Sequence, residues 1–491
     1  MSGKRVAIIG AGVAGLVSIK SCFEEGLEPV CFERHNDIGG IWYYTEQLRK
    51  GQAAATYDSV VTNHSKEMSC FSDFPFPKEW PPFLSRLRVH EYLHSYADHF
   101  ALKKYIKFNA DVMKIEANSD GGWSVTISNG AGGKTEEVFD YVMVCTGVFS
   151  KPHFPSYPGL ETFDGIKMHS NEYRDSSKFK DKRVVVVGAA STAGEVACEL
   201  ARNGSIQVFL SMRNGTVVIP RIGVQCTPWD LLCSRSIVNR DRILDKIAKW
   251  RIQDRTKIGL QCSEPIVNIK SLMVNDDIQD RIVQGKLEPV VGIEKFGKNS
   301  VTLVKGRILD DIGAVVFATG YQITFQFLKD TWVFDESDNL QLYKLVCPIG
   351  VDEPDRMALI GMFAPGGAAF PAFELQARWA VNVFVKRVKL PSKEQMRACI
   401  QKKPKYGRFY RSISTLPYQE ELAEEIGANP SFWKTLMYDP RLAMACWYGP
   451  QVPYTYRLQG PRTWDGAREA IFSVWENTTC PTNSYRSTHM K

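Results

Sequence analysis

No Cys-x-x-Cys pair occurs in the 491 residues, and the 12 cysteines are scattered. That spacing excludes a thioredoxin-type redox motif and a cysteine zinc ribbon, argues against a disulfide framework, and points to a reducing compartment. Nowhere is there a run of about 20 consecutive apolar residues, so nothing reads as a membrane span. Basic residues form no tail either: the net charge of +7 is spread along the chain, which speaks against a nucleic-acid partner. Lys4-Arg5 ahead of an apolar stretch resembles the start of a signal peptide. The same residues belong to the strand described next, so no cleaved signal is expected. With 44% hydrophobic and 23% charged residues, the composition is that of an ordinary globular chain of about three domain-sized units.

What is present begins at Arg5–Gly15, RVAIIGAGVAG. Val6–Ile9 has the composition of a strand buried on both faces of a parallel sheet. Gly10, Gly12 and Gly15 then give G-x-G-x-x-G where that strand turns into a helix. Gly10 permits the tight turn, Gly12 lets the backbone approach a pyrophosphate, and Gly15 lets helix pack on strand. The phosphates sit at the helix N-terminus, on free N–H groups and the positive end of the dipole. Glu28–Phe32 reads as the second strand, and Glu33 follows 18 residues beyond Gly15 (33 − 15). A carboxylate there accepts from ribose hydroxyls and repels a 2′-phosphate, so the first ligand is FAD or NAD.

Mid-chain, Lys182–Gly188 (KRVVVVG) repeats Lys4–Gly10 (KRVAIIG). The next turn is degenerate: Gly188 survives, while Ala190 and Ala193 stand at the second and third glycine positions. The following strand, Gln207–Leu210, ends in Ser211-Met212-Arg213 with no acid. Arg213 can pair with a 2′-phosphate and Arg221 can help, the alternative being that both are solvated loop residues. An acid after one second strand and a base after the other fit FAD plus NADPH, an oxidoreductase architecture.

Two more apolar strands end in Thr-Gly, at Thr146-Gly147 and Thr319-Gly320, as suits a crossing between domains with close backbone approach to a cofactor. The expected fold is α/β with two dinucleotide-binding (Rossmann-like) domains, the NADPH domain inserted into the FAD domain. The expected boundaries are 1–155 for the first part of the FAD domain, 156–325 for the NADPH domain, 326–445 for the second part of the FAD domain and 446–491 for a C-terminal segment. A helical insert is expected at about 222–290, where Arg242–Ile252 is amphipathic. Its apolar face suits packing more than contact with a membrane surface.

Phe163-x-Gly165-x-x-x-His169-x-x-x-Tyr173, just before the second nucleotide strand, resembles the fingerprint of flavin-containing monooxygenases. Gly39-Gly40-Ile41-Trp42 and Phe317-Ala318-Thr319-Gly320-Tyr321 strengthen the resemblance. It covers nearly the whole chain and looks closest to animal members, through Asn63–Cys70 (NHSKEMSC), Asp73–Pro77 (DFPFP), Gln376–Val381 (QARWAV) and Arg457–Pro461 (RLQGP).

The resemblance implies a monooxygenase in which NADPH reduces FAD, the reduced flavin traps O₂ as a 4a-hydroperoxide, and bound NADP⁺ shields it. The oxygen then passes to a soft nucleophile, an amine nitrogen or a sulfide sulfur, while the protein supplies position and dryness. Asn63 matches the active-site asparagine beside the flavin, an uncharged amide able both to donate and to accept. On the same basis FAD contacts fall to Gly10, Gly12, Val13, Ala14, Gly15, Glu33, Arg34, Gly40, Ile41, Trp42, Asn63, Thr146 and Gln376. NADPH contacts fall to Gly188, Ser191, Thr192, Ser211, Arg213, Arg221, Thr319 and Gly320. His169 and Tyr173 are not expected to do chemistry.

The chain departs from the family at Ala190 and Ala193, and at Ser191, where animal members usually carry asparagine. A weaker hold on NADP⁺ and appreciable release of H₂O₂ are the expected result. The final stretch, Asn477–Lys491, is polar where a hydrophobic anchor is usual. A cytoplasmic location is expected, or the cytosolic face of the endoplasmic reticulum if a tail has been removed. Peripheral membrane contact and a homodimer stay open, and no transmembrane segment is expected.

His90-Glu91-Tyr92-Leu93-His94 matches the zinc-protease pattern H-E-x-x-H. No downstream third ligand of the expected type follows, Glu116 being a guess, so the segment is expected to be an ordinary helix and no metal site is assigned. The rival within flavoenzymes is Baeyer–Villiger oxygenation of ketones. Outside them stands a weak NADPH oxidase or NADPH-binding sensor.

Overall fold

The computed structural model describes residues 3–489 except 49–51, 53, 55, 120, 130–132, 224–225, 237–257, 261–271, 403–406 and 409–411. The chain divides into two compact units: Met1–Tyr43, His64–Lys151 and Tyr321–Lys491 form one, and Tyr44–Asn63 with Pro152–Gly320 form the other. The second is thus inserted into the first. Along the chain the junctions fall at 43/44, 63/64, 151/152 and 320/321, so the short stretch 44–63 groups with the inserted unit. Arg242–Ile252 and about half of the expected helical insert lie outside the described residues.

In the first unit a five-stranded parallel sheet runs in the order Met357–Leu359, Tyr141–Val144, Arg5–Ile9, Glu28–Phe32, Ile106–Lys107. Alternate residues point to opposite faces of a strand. Ala7, Ile9, Phe32, Val142, Val144, Met357 and Leu359 accordingly share one core cluster with Val112, Ile115, Val125 and Ile127 of an antiparallel three-stranded sheet. Val6, Ile8, Cys31 and Met143 are fully buried on the opposite face. Burial on both faces is why these strands read as unbroken apolar runs.

The second unit repeats the plan with the order Leu287–Val290, Gln207–Ser211, Arg183–Val187, Ile312–Phe317, Ile166–His169, again all parallel. Its Val184, Val186, Val208, Leu210, Ala314 and Val316 fall in one cluster, and Val185, Val187, Phe209, Val315 and Phe317 in another. The sequence repeat is also a repeat of register. Gly10 N donates to Phe32 O at 2.8 Å in the first unit, and Gly188 N to Ser211 O at 3.1 Å in the second.

Charge is buried in the first unit as a balanced cluster. Arg457 Nη2 lies 2.7 Å from Glu374 Oε1 and 2.9 Å from Asp73 Oδ2, which also accepts from Lys20 Nζ at 2.7 Å. Lys20 reaches Glu24 as well, and Arg378 donates to the carbonyls of Tyr456 and Pro461. Three cations thus meet Glu374 and Asp73 inside and the half-buried Glu24 at the edge, a balance under which buried charge is tolerated.

Candidate functional site

In the first unit, Gly10 turns at φ +98°, and a side chain there would meet Cys145 O at 3.0 Å. At Gly15 a methyl would lie 1.9 Å from Gly10 O, so only glycine lets the helix Val13–Glu24 sit on its strand. Gly12 caps that helix with no side-chain hydrogen bond, and no acid lies in the first turn. Its leading N–H groups are therefore available to an anion. Facing Gly12 is Gly40, at φ +60°, where an added methyl would stand 3.2 Å from Gly12 Cα. Val13, Ala14 and Gly15 are buried in the helix, while Gly40 and Ile41 are exposed and Trp42 half-buried.

Glu33 follows the second strand as expected and is buried. It accepts from Ala11 N at 2.7 Å and His35 N at 2.9 Å. Burial pushes its pKa up, against the backbone N–H groups of Ala11 and His35, which hold it down. The carboxylate is thus pinned across the glycine turn. Arg34 is exposed on the neighbouring backbone, 3.8 Å from Asp111, and Thr146 is half-buried. Gln376 is fully enclosed. Its Oε1 accepts from Gly361 N at 2.8 Å, and its Nε2 donates to Leu345 O at 3.2 Å and Tyr418 Oη at 2.6 Å. With every amide atom engaged, that side chain braces the core rather than facing a ligand.

In the second unit, the helix Ser191–Arg202 likewise starts without a side-chain cap or a first-turn acid. Ala193 takes the third glycine position by packing on the first: a methyl on Gly188 would come within 2.9 Å of Ala193 Cβ. Ala190 is extended and exposed at the N-cap of that helix. Ser191 accepts from Val274 N at 3.0 Å, and Thr192 is half-buried. Ser211 is buried and donates to Val291 O at 3.1 Å. Arg213 is exposed and makes no ion pair among the described residues. That is the arrangement a 2′-phosphate requires.

Arg221 is placed otherwise. It pairs with Glu195, lies 3.5 Å from Asp276, and donates from Nε to Thr62 O at 3.1 Å and from Nη2 to Asn63 Oδ1 at 2.9 Å. Glu195 also accepts from Tyr57 Oη, and Ser59 donates to Glu199 at 2.5 Å. Burial pushes the Glu195 carboxyl up while Arg221 draws it down. These contacts clip the segment Tyr57–Asn63 to the helix Ser191–Arg202 and to Arg221, and hold Asn63 by its carbonyl. Its Nδ2 makes no hydrogen bond to a described residue, so the amide presents its donors.

The fingerprint residues Gly165 and His169 make close contacts within their own unit. Gly165 leaves room for the Phe163 ring, which a methyl would meet at 2.5 Å. His169 is buried, accepts from Asn171 N at 3.2 Å on Nδ1 and reaches Gly320 O at 3.1 Å from Nε2. Burial pushes its pKa down, against the contacts with Asn171 and Gly320 that raise it, and the ring clamps the Thr319-Gly320 turn. The Thr319 hydroxyl donates to His153 O, tightening the same turn.

Glu195 and Tyr57 were not predicted from the sequence. A signal was present: an acid one residue past Gly194, in a helix meant to receive phosphates, requires a cationic partner nearby.

A chain with two glycine turns, one followed by a pinned carboxylate and the other by an exposed arginine, defines a two-dinucleotide oxidoreductase. The sequence model described as "Flavin-binding monooxygenase-like" matches residues 3–490. Rat dimethylaniline monooxygenase [N-oxide-forming] 2 is 39% identical over 493 residues, covering 96% of this chain and 91% of that protein. Human flavin-containing monooxygenase 2 is 40% identical over 496 residues with the same coverage. Among solved structures, S-allyl-L-cysteine S-oxygenase from Allium sativum aligns with TM-score 0.67 at 23% identity, over 98% of this chain and 100% of that one. Cyclohexanone monooxygenase bound to cyclohexanone gives 0.63 at 17% identity, over 86% and 97%. These two likenesses concern the fold. The chain belongs to the flavin-binding monooxygenase family and is a flavin-dependent monooxygenase using FAD and NADPH.

Proposed function

We propose that this enzyme uses NADPH and O₂ to oxygenate the nitrogen or sulfur of small soft nucleophiles. The observation that carries this reading is Asn63 held by Arg221 with its donors presented. An uncharged donor stabilises charge developing on an oxygen without delivering a proton outright. Support for the substrate class comes from relatives named as N-oxide-forming, about 40% identical over nearly the whole chain.

The bound flavin supplies the redox and oxygen-transfer chemistry. The chain's own residues do the rest: Gly10, Gly12, Gly15 and Gly40 admit the FAD phosphates, and Glu33 receives the ribose. The N-terminus of Ser191–Arg202 receives the NADPH pyrophosphate and Arg213 its 2′-phosphate. Ala190 narrows that approach, so part of the NADPH consumed yields H₂O₂.

The test is turnover of FAD-loaded enzyme on N,N-dimethylaniline, a dialkyl sulfide and cyclohexanone, with NADPH, product and H₂O₂ counted together. N-oxide or sulfoxide formation is expected. Ester from the ketone alone gives the Baeyer–Villiger reading, and H₂O₂ without any product gives the oxidase reading.

No helix among the described residues is long and apolar enough to cross a membrane. Peripheral contact has support in the helices Phe432–Tyr438, Pro440–Tyr448 and Ala467–His489, which carry exposed Trp433 (72%), Met437 (81%), Tyr438, Tyr448, Phe472 and Trp475. Aromatic and methionine side chains exposed on one run of helices suit the headgroup region of a lipid surface. Co-sedimentation with anionic phospholipid vesicles, lost in a Trp433→Ala/Met437→Ser variant, is the expected result.

A further inference from the structure

The H-E-x-x-H pattern resolves into something other than a protease site. His90 and His94 lie four residues apart on the helix Arg86–His99 and share a face, their ring centroids 4.6 Å apart. Glu91, the residue a zinc protease needs as its base, is exposed and bound to Arg88 at 2.7 Å. Glu116, the sequence-based guess for a third ligand, is on the antiparallel sheet and pairs with Lys114 at 2.8 Å. A different carboxylate meets the histidines: Asp37 Oδ1 is 3.1 Å from His94 Nε2, and Asp37 Oδ2 is 3.6 Å from His90 Nε2.

We infer that Asp37, His90 and His94 form a binding site for a divalent transition-metal ion of the zinc type, with water completing the coordination. One ligand atom from each lies within 4.8 Å of the others, the sole such group of three among the described residues. Ligand atoms around tetrahedral zinc, with bonds of about 2.0–2.1 Å, stand about 3.4 Å apart. The separations of 3.1 and 3.6 Å bracket that value, so closure needs only small rotations of three side chains. Two imidazoles and one carboxylate are also a donor set that zinc-type ions take. All three are half-buried, so an ion can enter from solvent and keep a water ligand.

The site has a second attachment. Asp37 lies two residues before Gly39, whose N donates to Ala11 O at 3.1 Å, and Gly40 packs on Gly12. A side chain on Gly39 would meet His90 Cδ2 at 2.9 Å, so the glycine is what lets the ring in. His90 Nε2 also lies 3.2 Å from Ile38 O, a contact the ion replaces. An ion here ties the loop bearing Gly39-Gly40 to the helix Arg86–His99, and through it to the first glycine turn. The site is a metal-operated clamp on the proposed FAD-phosphate turn.

The experiment is calorimetric titration of the tag-free, FAD-loaded enzyme with ZnCl₂, followed by X-ray absorption at the zinc edge and by the thermal midpoint of unfolding. One equivalent should bind, with a first shell of N/O at about 2.0–2.1 Å and imidazole outer shells. The midpoint should rise with zinc. His94→Ala, and separately Asp37→Asn, should weaken binding by at least about tenfold, the loss that even an outer partner of a metal site brings. Each variant should keep its FAD and its circular dichroism spectrum. If a variant does not fold, the absorption shell of the unmodified enzyme decides. A sulfur shell at about 2.3 Å, or binding abolished by alkylating the exposed Cys226 and Cys399, overturns the inference, as does unchanged affinity in His90→Ala/His94→Ala.

Discussion

Arg221 Nη2 donates to Asn63 Oδ1 at 2.9 Å, and because a guanidinium can only donate, this bond settles which end of the amide is oxygen. Glu195 on one side and Asp276 on the other keep the guanidinium in place. Arg221, expected at the 2′-phosphate, is therefore better described as the residue that orients Asn63.

Arg221→Lys should keep the charge opposite Glu195 but lose the fork that reaches Asn63 and Thr62 together. Product formed per NADPH should fall several-fold, with H₂O₂ making up the difference and the rate of flavin reduction little changed. Asn63→Ala should do the same, and the double variant should be no worse than Asn63→Ala alone. Additive losses would show that Arg221 acts elsewhere.

Arg213→Ala removes the exposed guanidinium that follows the second nucleotide strand. Preference for NADPH over NADH should drop by about ten- to a hundredfold, matching the ~1.5–3 kcal/mol of charge-assisted hydrogen bonds to a phosphate. The effect should fall on KM for NADPH, with NADH kinetics unmoved. An equal change with both coenzymes would remove Arg213 from the site.

Glu67 is buried beside Lys66, and burial pushes its pKa from 4.5 up to about 7. A carboxyl whose pKa is raised by folding favours the folded state fully below its unfolded value of 4.5, and that advantage is lost as pH rises towards 7. The swing is about 3 kcal/mol by linkage. Denaturation of the parent and of Glu67→Gln at pH 5, 6, 7 and 8 should show the parent losing stability relative to the variant up to pH 7, and a constant difference above it. A difference that is flat across the whole range would refute the assignment.

Arg457→Met strips the cation from Glu374 and Asp73, leaving buried carboxylates without their partner. Breaking such a pair costs about 3–5 kcal/mol, which urea denaturation of the FAD-loaded enzyme would register. Loss within experimental error would mean that Lys20 alone holds Asp73.

How far these features could be read from the residues differs by kind. The glycine turns, Glu33 and the buried strands were legible because each depends on local backbone geometry and on a period of two or of 3.6. The placement of 44–63 was not, since it rests on Tyr57 meeting Glu195 and Ser59 meeting Glu199 across about 140 positions, as the separations of 138 and 140 show. Nor was the role of the strings that carried the family resemblance. Asp73 of DFPFP, Arg378 of QARWAV and Arg457 of RLQGP belong to the buried charge cluster, and Gln376 braces the core beside it. Such strings mark a fold as faithfully as a site, because unpaired charge in an interior is as intolerable as a misplaced ligand. The third member of the histidine cluster escaped for a similar reason: Asp37 stands 53 residues before His90 (90 − 37), and only the fold brings them together.

The strand Met357–Leu359 completes the first sheet by pairing with Tyr141–Val144, yet it is made 213 residues later (357 − 144). On the ribosome the earlier strand therefore emerges with one edge bare, and the whole inserted unit is synthesised before the partner arrives. Such late, long-range closure is slow and leaves an edge open to wrong neighbours. Assembly of this enzyme in a cell is thus a matter of timing: the inserted unit can mature first, and the surrounding unit waits with its apolar strands unguarded, the interval in which a chaperone has most to offer.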